Sequence, residues 1–107
     1  MTEACEVIIT APDPTWLADL TRRLVEDRLC ACGHNIPEIR SIYRWKGKIE
    51  ETSEARVALH TRASLVPAII ERVKAEHPYE VPCVIATPIA EGNPDYLRWI
   101  EDETRTP

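Results

Sequence analysis

No apolar run in the 107 residues approaches the roughly 20 that a membrane-spanning helix needs, so no membrane partner is expected. Basic residues are in deficit: 13 Lys and Arg face 18 Asp and Glu, for a formal charge of −5. A phosphate-backbone binder carries the opposite sign, so nucleic acid is not expected as a partner. The opening Met1-Thr2-Glu3-Ala4-Cys5-Glu6 lacks a basic stretch, so no signal peptide is expected and the cytoplasm is the default compartment. Only four cysteines are present, Cys5, Cys30, Cys32 and Cys83, too few for a disulfide scaffold, and reduced thiols are expected. No phosphate-binding loop, dinucleotide fingerprint, nucleophile elbow or HExxH pair occurs, and the chain is read as a non-enzyme. Linkers, repeats and low-complexity stretches are also missing. One domain over residues 1–107 follows.

What is present is a regular alternation of elements, punctuated by nine prolines and three glycines. Ala4 to Thr10 reads as a strand, with Val7, Ile8 and Ile9 suggesting burial on both faces. Asp13-Pro14 opens a helix whose apolar stripe, Trp16, Leu17, Leu20, Leu24, Val25 and Leu29, runs from about 14 to 30. Asn35 to Trp45 is strand-like. Ile39 and Ile42 fall on opposite faces, which a bulge or two-sided burial explains. Lys46-Gly47-Lys48 is a turn, and Ile49 to Thr61 returns as a second strand, completing a long hairpin. Ser64 caps a helix running to about 77, Val81 to Pro88 is a strand, and Asn93-Pro94 starts a final helix. The order β-α-β-β-α-β plus a terminal helix defines an α+β, ferredoxin-like plait. Helices on one face leave the other bare, so self-association through the sheet is expected.

Several runs resemble the CutA divalent-cation tolerance family. They are Thr10-Ala11-Pro12-Asp13, Cys32 after Arg28-Leu29-Cys30-Ala31, the hairpin Ser41-Ile42-Tyr43-Arg44-Trp45-Lys46-Gly47-Lys48-Ile49-Glu50, Glu54, His77-Pro78-Tyr79-Glu80-Val81-Pro82, and Gly92 with Asp95-Tyr96-Leu97-Arg98-Trp99-Ile100. The resemblance covers nearly the whole chain. It implies a homotrimer built like the PII signalling proteins, with extended hairpins reaching neighbouring subunits, and a link to copper and other divalent cations. No organic cofactor is implied; Cu(II) or another divalent ion is. The copper site proposed for that family has a Cys before Thr-Ala-Pro-Asp and two His before Pro-Tyr. Here Ile9 and Glu76 stand at two of these places, leaving His77.

Candidate site residues follow. His77 with Glu76 is the expected metal pair, imidazole being a good ligand at neutral pH. Cys30-x-Cys32-x-His34 places three soft ligands together only if the segment is extended, and a helix ending inside it spoils the alternation. Cys32 is therefore read as a small buried side chain, structural like Pro78 and Pro82. Tyr43, Trp45, Tyr79 and Trp99 are expected to wall an intersubunit pocket, with Lys48, Glu50, Glu54 and His60 as its polar groups. His60 stands where relatives usually carry Lys, and Cys83 where they often carry Glu. A small-ligand-sensing module and a scaffold for partner proteins are the alternative functions.

Overall fold

The computed structural model describes residues 3–106. Four strands, β1 (Ala4–Ala11), β2 (Cys32–Trp45), β3 (Lys48–Arg62) and β4 (Val84–Pro88), form one sheet in the order β2-β3-β1-β4. Every pairing is antiparallel. Helices α1 (Pro14–Glu26) and α2 (Val66–Glu76) are the two crossovers, and α3 (Pro94–Glu103) closes the chain. This is the ferredoxin-like α+β arrangement.

The helix-side core follows from strand alternation. Val7, Ile9 and Ala11 of β1 and Ala55, Val57 and Leu59 of β3 share one face and pack against Leu17, Leu20, Leu24, Ile69 and Val73. Ile8 lies on the other face and is half-buried, beside Ile85 of β4. The helix α3 covers one end of that opposite face. Its Ile100 joins Ala4 and Ala31 in a smaller cluster.

Asp13 caps α1 as expected, its Oδ1 accepting from the Thr15 N–H at 2.9 Å. The helix stops at Glu26, short of residue 30. Arg28 takes the left-handed conformation, φ 59°, and the Leu29 N–H returns to the Leu24 carbonyl at 3.0 Å. The apolar periodicity overruns because Leu29 and Cys30 are core residues on a chain reversal. Arg28 is held there by its guanidinium, which donates to the Asp102 and Glu103 carbonyls at the end of α3.

Three further boundaries shift. With α1 ended early, β2 begins at Cys32 rather than Asn35. Ala63–Leu65 form a 3-10 turn, so α2 starts at Val66 without a side-chain cap and Ser64 is no cap. Strand β4 starts at Val84, not Val81, and Pro82, within the intervening stretch, offers no N–H to a ladder. The one register shift in β2 lies between Ile36 and Ile39; from Ile39 to Trp45 the pairing is regular, so Ile39 and Ile42 stay on opposite faces with no bulge between them.

Lys46 and Gly47, both at positive φ, make the two-residue turn of the hairpin. Pairing of β1 with β3 ends at Ala11 and Ala55. Beyond it the β2–β3 hairpin continues alone as a two-stranded arm to Trp45 and Lys48. The arm makes the molecule 44 Å long against 25 and 22 Å across.

Candidate metal centre and aromatic cleft

The expected Glu76–His77 pair is not brought together as ligands. His77 follows α2 and its ring is buried. The Tyr79 N–H donates to Nδ1 at 3.0 Å, so Nδ1 is the acceptor nitrogen. The Thr10 carbonyl lies 2.7 Å from Nε2 and only accepts, so Nε2 carries the proton. Both nitrogens are engaged in the neutral tautomer, and neither keeps a lone pair for a metal. Trp16 and Tyr79 pack on the ring at 5.3 and 4.9 Å between centroids. Glu76 turns to Arg23 at 2.6 Å and to Arg72 at 3.7 Å, tying α2 to α1.

The eight residues expected in one pocket are divided: four share a cleft, two stand apart on the arm and two lie at the other end of the open face. Tyr43, Trp45, Glu54 and Tyr79 do line one cleft, of about 590 Å³, together with Pro78 and Cys83. Glu54 is 5% exposed and accepts from the Tyr79 hydroxyl at 3.0 Å. Burial, and then the Glu54 carboxylate, push the Tyr79 phenol up to about 12. Lys48 and Glu50 do not line it. Lys48 is exposed at the arm tip and Glu50 is half-buried opposite Tyr43. Pro82 sits half-buried in the irregular stretch before β4.

Trp99 and His60 belong to the other end of the open face, and there the structure assembles what the sequence left apart. Cys32 and His60 are direct partners across β2 and β3, and His34 is two residues along from Cys32 on the same face. The ligand atoms of Cys32, His34 and His60 all lie within 4.8 Å of one another. The His60 ring stands edge-on to His34, with centroids 5.3 Å apart. His60 Nε2 is 2.8 Å from the Glu6 carboxylate on β1. His60 Nδ1 is 2.6 Å from the Tyr96 hydroxyl and 3.8 Å from Cys32 Sγ. Tyr96 comes from α3, where Trp99 stacks on it at 5.5 Å. Its phenol is pushed up, first by burial, then by the bond to Cys32 and by the nearby charge of Glu6.

Cys30 takes no part. It is buried in the helix-side core, where desolvation raises its thiol to about 12. The early end of α1 extends the chain from Cys32 onward and restores the alternation. His60, from the neighbouring strand, is the third donor in place of Cys30.

The molecule is thus a ferredoxin-like α+β protein with a Cys/His/His cluster on the sheet face opposite α1 and α2. It belongs to the CutA1 divalent ion tolerance family, whose profile matches residues 5–103. Protein CutA of Mus musculus is 49% identical over 98 residues, 92% of this chain and 55% of the mouse protein. The chain therefore spans little more than half of that relative. The divalent-cation tolerance protein CutA of Thermus thermophilus is 44% identical over 98 residues, 92% of this chain and 95% of that one. The solved structure of the Thermus thermophilus protein superposes with a TM-score of 0.92 at 42% identity, covering 95% and 99% of the two chains. CutA1 from a psychrotrophic Shewanella superposes with a TM-score of 0.93 at 35% identity, covering 98% of each.

Proposed function

We propose that this chain contributes to divalent-cation tolerance by binding the cation itself, as a homotrimer. The observation that carries the reading is the Cys32, His34 and His60 donor cluster on the open sheet face. Thiolate and imidazole bind first-row divalent ions in their unprotonated forms. Copper falls within that set, along with zinc. The two residues first expected to bind, Glu76 and His77, are consumed by internal bonds and contribute nothing to capture. Assembly is supported separately, by the apolar residues exposed on the arm and on the open face. Titration calorimetry of the assembled, reduced protein with Zn(II), Mn(II) and Mg(II) tests direct binding. A saturable site for at least one ion is expected. Heats indistinguishable from dilution for all of them, together with no saturable copper bound in anaerobic equilibrium dialysis, overturn the reading.

The small-ligand reading has one observation in its favour. Three aromatic residues and the buried Glu54 carboxylate face one cleft, a lining suited to a small molecule. A metabolite screen by thermal shift tests it, since a ligand that prefers the native state raises Tm. No shift with any metabolite counts against it.

A further inference from the structure

We propose that Cys32, His34 and His60 form a tetrahedral site for a borderline divalent ion of the zinc or cobalt type. Glu6 orients it, and the Tyr96 hydroxyl now bonded to His60 Nδ1 gives way to the ion. The inference rests on the reading that the chain binds cations directly and specifies where and which.

The donor spacing argues for four-coordination. Zinc–sulfur and zinc–nitrogen bonds of about 2.3 and 2.0 Å at the tetrahedral angle set sulfur and nitrogen about 3.5 Å apart. The right angle of an octahedral ion would set them about 3.1 Å apart at the same bond lengths. Cys32 Sγ and His60 Nδ1 stand 3.8 Å apart. The His34 ring has no hydrogen-bond partner among the described residues and is exposed, so it turns toward the other two at little cost.

Glu6 supplies a second, independent observation. An ionised carboxylate only accepts, so at 2.8 Å from Glu6 the Nε2 of His60 carries the proton. The Nδ1 lone pair is thereby left free on the side of Cys32 and Tyr96, 2.6 Å from the Tyr96 hydroxyl and 3.8 Å from Cys32 Sγ. Metal-bound histidines are held this way by a carboxylate on the far nitrogen. By contrast, the buried His77 has both nitrogens tied to backbone groups.

Tyr96 stands between the two donors, on the ion's own approach. Its hydroxyl lies 2.6 Å from His60 Nδ1 and 3.3 Å from Cys32 Sγ, bonded to both donors. A neutral phenol is a poor ligand, so Tyr96 competes with the ion for the Nδ1 lone pair rather than adding a strong bond. Three protein ligands and an open fourth position characterise an exchangeable site rather than a closed structural one. One thiolate with two imidazoles favours zinc, cobalt and copper over magnesium, calcium and manganese.

The test is Co(II) titration of the assembled, reduced protein, followed by optical absorption. Thiolate-to-cobalt charge transfer and intense tetrahedral d–d bands are expected, both displaced by Zn(II) and unaffected by Mg(II). Cys32→Ser removes the charge-transfer band. Glu6→Ala weakens binding about 10- to 100-fold, and Glu6→Gln recovers part of it because its amide oxygen still accepts from Nε2–H. Tyr96→Phe tightens binding about fivefold, the worth of one hydrogen bond no longer in competition. Should Cys32→Ser fail to fold, the exposed His34→Ala serves instead and must lower affinity. Weak octahedral bands that persist in Cys32→Ser or His34→Ala would overturn this site while leaving direct cation binding in place. Absence of any cation binding would remove both.

Discussion

His77 is the residue whose sequence position most suggests a ligand and whose surroundings most exclude it. Its ring joins the end of α2 to β1 through the Thr10 carbonyl and orders the next turn through the Tyr79 N–H. Removing it strands two backbone groups and a ring-sized space beside Trp16. His77→Ala is therefore expected to cost about 3 kcal/mol by urea unfolding at fixed protein concentration. Zn(II) affinity of the folded fraction stays unchanged; lost affinity at unchanged stability would show that the ring does bind metal. Cys30 makes a second prediction. Its thiol titrates near 9.0 when exposed and is pushed up to about 12 by burial. Between these values the unfolded chain sheds the proton while the folded chain keeps it. Stability is complete below pH 9 and falls above it, by up to about 1.4 kcal/mol per pH unit. Cys30→Ala should flatten that fall without abolishing it, since burial also raises Cys5. An identical slope between pH 9 and 11 in both proteins would remove Cys30 as the cause.

At the scale of elements, α1 approaches β2 closely because residue 33 has no side chain. A Cβ there would overlap Thr21 Cγ2 and crowd Leu59 and Val57. Gly33→Ala is expected to cost about 2 kcal/mol through overpacking. Thr21→Ser removes Cγ2 but keeps the hydroxyl that donates to the Leu17 carbonyl, so the double variant should recover most of the loss. No recovery in thermal unfolding would place the strain elsewhere. Strand and helix order and the hairpin were legible in the sequence, because alternation and helical periodicity report directly on burial; the place of the register shift, ahead of Ile39 rather than between Ile39 and Ile42, was not. The end of α1 was not, because Arg28 holds a left-handed position that usually falls to glycine, and what holds it is a contact to α3. The metal cluster was half legible. Cys32 and His34 are close in sequence, but whether they share a face depends on where α1 ends. Their partner depends on the register shift between Ile36 and Ile39. Carried through without that shift, the hairpin register would set Cys32 against Thr61, whose side chain faces the helix-side core, instead of His60. A one-residue irregularity thus decides whether the cluster exists.

At the scale of the whole molecule, the arm is the feature the monomer does not explain. From Ile39 to Glu54 the hairpin has no third strand beside it. An isolated two-stranded ribbon is marginal in water. Tyr43 and Trp45 occupy one side of this one, while Ile42 and Ile49 lie on the other, each 63% exposed. A ribbon apolar on both sides is stabilised when another surface covers it. Burying an isoleucine is worth about 2 kcal/mol, so six of them in a trimer would contribute on the order of 12 kcal/mol to assembly. Replacing Ile42 and Ile49 together by Asp should remove that contribution and add desolvation cost, while the helix-side core stays intact. Sedimentation equilibrium is expected to give a trimer for the parent protein and monomer for the double variant, with far-UV circular dichroism nearly unchanged. A variant that remains trimeric would mean that the open sheet face alone drives assembly. A parent protein that sediments as a monomer would refute the trimer itself. The arm would then be an apolar ribbon awaiting some other partner.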